Sequence, residues 1–136
     1  MTINTSGLGG GGLPRLAADL LYPQNRAILG SQTYEITNID ASGGLTTALS
    51  LTGKYVINYI SFKNVLLESM TIKLTVDGLV VWNSTFTAAA GTQSFIGGNS
   101  STSIPEAISC NTSFLLEVQM ATDTSIDLEF LARPIQ

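Results

Sequence analysis

From Ser31 to the C-terminus, apolar and polar positions alternate with a period of two, the signature of half-buried β-strands. Tyr34 and Ile36 alternate with Thr33, Glu35 and Thr37. After a Ser42-Gly43-Gly44 turn, Leu45, Leu49 and Leu51 share a face. Thr52-Gly53 then turns the chain into Tyr55–Phe62, where both faces are apolar. Tyr55, Ile57 and Tyr59 fall on one side of that strand and Val56, Ile60 and Phe62 on the other.

The clearest unit is Thr71–Phe86. Ile72, Leu74 and Val76 point one way and Thr71, Lys73 and Thr75 the other. Asp77-Gly78 predicts a type I′ hairpin, because both of its central positions need positive φ. The return strand is expected to set Val80, Trp82 and Phe86 towards the core, with Leu79 and Val81 opposite. Residues 87–113 read as a long loop with one or two short strands, anchored by Phe95, Ile96, Ile104 and Ile108. A second hairpin is expected to close the domain. Phe114, Leu116, Val118 and Met120 lie on one arm, Ala121–Thr124 at the turn, and Ile126, Leu128 and Phe130 on the other arm. Seven or eight strands of this kind predict one all-β sandwich over residues 31–136, jelly-roll or immunoglobulin-like.

Residues 1–30 read differently. Met1–Gly12 ends in Gly7-Leu8-Gly9-Gly10-Gly11-Gly12, a literal G-x-G-x-x-G without the preceding strand that a dinucleotide site requires. Glycines carry a large ordering entropy, so this stretch is expected to be an extended arm with a reach of roughly 40 Å. Leu13, Leu16, Ala17, Leu20 and Leu21 recur at helical spacing between Pro14 and Pro23. A helix this short needs a surface to lie on, supplied by its own sandwich or by a neighbouring subunit.

The apolar positions opposite the expected core say more about function. Tyr55, Ile57, Tyr59, Leu79, Val81, Leu115 and Leu131 all fall there, and monomers rarely expose so many together. They imply a homo-oligomer. With the Leu13, Leu16, Leu20 and Leu21 face, they form the candidate partner-binding set.

Composition narrows the chemistry. There is no histidine, which removes Ser-His-Asp and Cys-His catalysis and the usual zinc sites. The lone Cys110 allows no intrachain disulfide. The net charge is −4, and six scattered basic residues form no nucleic-acid patch. No run approaches the roughly 20 apolar residues of a membrane span. Charged residues are 12% of the chain, about half the usual share, and a surface of small polar side chains suits a subunit buried in an assembly. Neither a cofactor nor a metal is expected.

Glu117, Asp123, Asp127 and Glu129 gather near the last expected hairpin as oxygen donors, but lack calcium-loop spacing. Glu35, Glu68, Asp77 and Glu106 contain no glycosidase spacing. Trp82, Tyr55 and Tyr59 are the candidates for a sugar-stacking platform, with core packing the simpler account of Trp82.

The stretch Leu51-Thr52-Gly53-Lys54-Tyr55, the run Met70–Gly78 and the ending Leu128-Glu129-Phe130-Leu131-Ala132-Arg133 resemble small virion structural proteins of tailed bacteriophages. In build, the chain is most similar to capsid decoration, or cement, proteins. That resemblance implies a non-enzymatic protein on the capsid surface, forming a homo-oligomer, a trimer foremost. It would bind the major capsid protein or other virion subunits through a terminal arm. Tail, baseplate and fibre-attachment adaptors share the style, and a glycan-binding sandwich is the reading from another class.

Overall fold

The computed structural model describes residues 34–98 and 100–135. The arm and short helix expected over residues 1–30, with Leu13, Leu16, Leu20 and Leu21, lie outside them. Nine strands occur among the described residues: β1 (Tyr34–Ile39), β2 (Thr46–Thr52), β3 (Tyr55–Val65), β4 (Ser69–Val76), β5 (Leu79–Thr87), β6 (Gly91–Ile96), β7 (Ile108–Cys110), β8 (Ser113–Met120) and β9 (Ile126–Pro134).

They form two antiparallel sheets. One runs β1-β9-β3-β6, with β7 also paired to β3; the other runs β2-β8-β4-β5. The all-β sandwich expected from alternation is present. Its innermost hairpin turns at Asp77-Gly78, where φ is 52° and 83°, the two positive values of a type I′ turn. Outward from this turn the strands pair in succession: β4 with β5, β3 with β6, β2 with β8, β1 with β9.

The alternating residues fill the space between the sheets. Ile72 and Leu74 of β4, Phe114, Leu116 and Val118 of β8, Ile60 and Phe62 of β3, and Ile126 and Leu128 of β9 are fully buried. Within the segment expected to be mostly loop, Phe95 and Ile96 are also fully buried, because residues 91–96 pair with β3.

Three expectations need correction. The last two strands are not a hairpin: β8 lies in one sheet and β9 in the other, so residues 121–125 cross between layers. Alternation marks a strand's faces but not its neighbour. In β3 the register slips by one residue at Asn58, since Ile57 faces Ala132 while Tyr59 faces Leu131. A one-residue bulge inverts the parity of everything beyond it, so Ile57 is a core residue with no exposure, on the same side as Ile60 and Phe62. In β5 the slip falls at Val81: Val80 faces Thr75 and Trp82 faces Leu74. Trp82 and Phe86 therefore pack against the core, whereas Val80 is 54% exposed.

Trp82 stands on the edge strand of one sheet and meets Phe95, on the edge strand of the other, edge-to-face with ring centroids 5.6 Å apart. This contact closes one side of the sandwich. Its indole N–H has no partner among the described residues, so the ring contributes through area and packing. Trp82→Ala should lower unfolding free energy by about 3 kcal/mol, the low end of the range for large aromatic truncations because the ring is partly exposed. Trp82→Phe should retain more than half of that. Urea unfolding followed by circular dichroism checks both, and an unchanged midpoint for Trp82→Ala would contradict the closure role.

Candidate functional site

The connections gather at two ends of the sandwich. At one end the segment after β1, the β3–β4 and β5–β6 links and the β8–β9 crossing are joined by backbone bonds. Ala41 N–H donates to Asp123 O, Met120 N–H to Ala41 O, and Ala88 N–H to Glu68 O. At the other end the β2–β3 turn, the Asp77-Gly78 turn and the β7–β8 turn are joined the same way. There Gly53 N–H donates to Thr112 O and Asp77 N–H to Ser113 O.

Carboxylates bind these loops together. Asp77 Oδ1 accepts from the amides of Asn111, Thr112 and Ser113 at 2.7–3.1 Å and from the Thr112 hydroxyl at 3.1 Å. Glu68 accepts from Thr122 N–H and Oγ1–H and from Asp123 N–H. The buried Asp123 accepts from Leu66 and Ser125 amides, and Asp127 from the Asn38 amide and the Asn64 side chain. Asp40 holds the Ser42 amide and hydroxyl. These acids are structural acceptors for loop backbone groups that would otherwise be left to water.

The four acids expected to gather are therefore dispersed. Glu117 lies on β8, in the sheet opposite Asp127 and Glu129 on β9, and among the described residues no group of acids, histidines or cysteines could hold a metal ion. Glu129 takes the Tyr59 hydroxyl at 3.1 Å and Lys63 Nζ at 3.4 Å. Cys110 is buried, with its thiol 3.4 Å from Gly53 O.

The expected partner-binding residues separate as well. Tyr55 packs against the core and Ile57 lies within it. Tyr59 and Leu131 face each other, half-buried, on β3 and β9. Val81 and Leu115 belong to the other sheet, on β5 and β8. Tyr59 with Leu131 and Val81 with Leu115 are thus two separate positions, not one continuous patch. The sugar-platform candidates are occupied too: Trp82 on Phe95, Tyr55 on the core, and Tyr59 on Glu129.

The large apolar side chains that protrude furthest are aliphatic. Leu67 is 71% exposed beside Leu66, in the β3–β4 link that Glu68 and Asp123 clamp from either side. Leu79 is 71% exposed and Val81 53%, next to Val80 on β5. Leu66, Leu67 and Val80 escape a sequence reading: Leu66 and Leu67 break no alternation because they sit in a link, and Val80 is displaced by the bulge.

Hydrogen bonds from Thr122, side chain first and then backbone, hold Glu68 below the ordinary 4.5. The Thr112 amide, then the Ser113 amide, holds Asp77 below 3.8. A folded-state pKa below the unfolded value stabilises the fold above the unfolded pKa, and this stability is lost as pH falls through the folded one. Stability should therefore be level above about pH 5 and fall below the ordinary carboxylate values. The double variant Glu68→Gln with Asp77→Asn should be less stable near neutrality and show a shallower acid fall. Urea midpoints measured across that pH range check this; an undiminished acid fall in the double variant would count against these two acids as its source.

No protein-family model matches the chain, and no curated protein or solved structure matches it either.

Proposed function

We propose that the sandwich is a jelly roll and that the chain is a non-enzymatic structural subunit of a phage virion, of the capsid decoration type. The observation that carries this reading is the strand order. A sheet ordered β1-β9-β3-β6, with β7 also on β3, and a second ordered β2-β8-β4-β5 fit one long antiparallel ribbon, tipped by Asp77-Gly78, that rolls up on itself. That order favours the jelly roll of capsid and lectin domains. An immunoglobulin-type sandwich pairs its strands in another order.

The surface chemistry favours assembly over catalysis or sugar binding. The turn and link acids Glu68, Asp77 and Asp123 are spent on loop amides, and Trp82 and Tyr55 on internal contacts. The most exposed large apolar side chains are aliphatic, Leu67 at one end and Leu79–Val81 on an edge strand. Such groups contribute to binding only when a partner removes them from water. Residues 1–30, by their glycines and leucines, supply the tether to the major capsid protein or another virion subunit.

Mass spectrometry of purified particles of the encoding phage, with heads and tails separated on a gradient, tests the assignment. The chain should fractionate with heads. Recovery with tails would transfer it to the adaptor class, and absence from both would end the virion reading. Deleting residues 1–21 should leave the melting temperature within a few degrees of the full chain while weakening binding to purified heads lacking the protein at least tenfold.

A further inference from the structure

We propose that the outer edge of β5 is a self-pairing interface, at which β5 of one copy adds antiparallel to β5 of a second copy across a two-fold axis. The inference rests on the homo-oligomer expected from the sequence and names its joint, one that pairs copies where the resemblance puts a trimer foremost.

An edge strand presents a row of unpaired backbone donors and acceptors, and proteins that stay apart blunt such edges with charge, proline, short length or a cover. The four edges here differ. β1 is six residues long and carries Glu35. The free side of β6 is covered by the Ile104 segment, through Ile104 N–H to Phe95 O and Gly97 N–H to Ile104 O. β2 has seven residues and a register slip in its middle, between Thr47 and Leu49. β5 has nine residues, Leu-Val-Val-Trp-Asn-Ser-Thr-Phe-Thr, with no charge and no proline. Among the described residues nothing pairs with it beyond β4. Its bulge lies near the start, and from Trp82 to Thr87 it follows β4 residue for residue, leaving a straight backbone edge of six residues.

The occupant follows from charge and from the strand's own pattern. No charged residue stands between Asp77 and Glu106, a stretch that includes β5 and β6, although the whole chain has a net charge of −4. Two copies repel elsewhere and meet without repulsion along this flank. The strand is also self-complementary when reversed. Leu79, Val80 and Val81 are exposed at its start, Asn83 and Thr85 at its centre, and Ala89 and Ala90 just past its end. An antiparallel alignment centred on Ser84 sets Leu79 opposite Ala89 and Val81 opposite Thr87. The apolar end of each copy then covers the alanines of the other, at both ends of the joint. Main-chain bonds hold the register and the bulged valines seal it. The contact is isologous, so it joins copies in pairs.

Two measurements on the full chain test this. Sedimentation at micromolar concentration should give a dimer or a multiple of two, and Val81→Lys, at an exposed position, should shift it at least tenfold towards smaller species with the melting temperature retained. An equal mixture of the single variants Asn83→Cys and Thr85→Cys, which this alignment sets opposite each other beside the axis, should cross-link into mixed disulfide dimers on mild oxidation, because the native Cys110 is buried. Thr47→Cys, exposed on β2, should not. A monomeric wild type overturns the joint together with the homo-oligomer reading. A trimer that Val81→Lys leaves intact, with no cross-link between Asn83→Cys and Thr85→Cys, overturns the joint alone.

Discussion

Asp77 performs two tasks that the rest of the sandwich depends on. Its backbone, at a φ of 52°, makes the first half of the hairpin turn, a conformation that few residues other than glycine, asparagine and aspartate accept readily. Its carboxylate reaches about 35 residues along the chain to the amides of Asn111, Thr112 and Ser113. The first task sets the tip of the innermost hairpin and the second ties the start of β8 to that tip. β8 is then placed to run beside β4, and the register Val76 to Phe114, Leu74 to Leu116, Ile72 to Val118 follows without a slip. Asparagine could keep the turn and the Oδ1 acceptor, but it would lose the charge and put a donor where Oδ2 accepts from Asn111 N–H at 3.1 Å.

The opposite end uses the same chemistry with different acids. Glu68 and Asp123 divide between them the amides of Leu66, Thr122, Asp123 and Ser125. A chain that is only 12% charged thus spends much of its negative charge on loop geometry. The faces and flanks are left to threonine, serine and short aliphatics.

This division explains which parts of the structure were legible in the sequence. The core of β4, β8 and β9 could be read from alternation because those strands keep their period over most of their length: Ile72, Leu74, Phe114, Leu116, Val118, Ile126 and Leu128 are all inside. The turn at Asp77-Gly78 could be read because only certain residues fit it. Ile57 and Val80 were misplaced because a single extra residue, Asn58 in β3 and Val81 in β5, inverts parity, and neither carries the glycine that often marks a bulge. The pairing of β8 with β2 and β4 instead of β9 was not legible, since the five-residue crossing at 121–125 has the composition of an ordinary turn. The candidate surface suffered most: its residues were assigned by parity, and parity failed in both strands that carried most of them. Leu67 had no signal beyond its hydrophobicity, because its exposure is imposed by acids on either side.

The pairing of the first strand with the last has a mechanical consequence. Tyr34 lies opposite Phe130 and Ile39 opposite Ile126, so the chain enters β1 and leaves β9 at the same end of the sandwich. A load applied between Tyr34 and Pro134 therefore pulls across the inter-strand bonds and not along the strands, opening them one after another in the manner of a zipper instead of shearing them all at once. A load carried from Tyr34 to the far end, where Leu67 protrudes, instead runs along β1 and must break its pairing with β9 collectively. The same fold is compliant to tension between its termini and stiff to tension along its length.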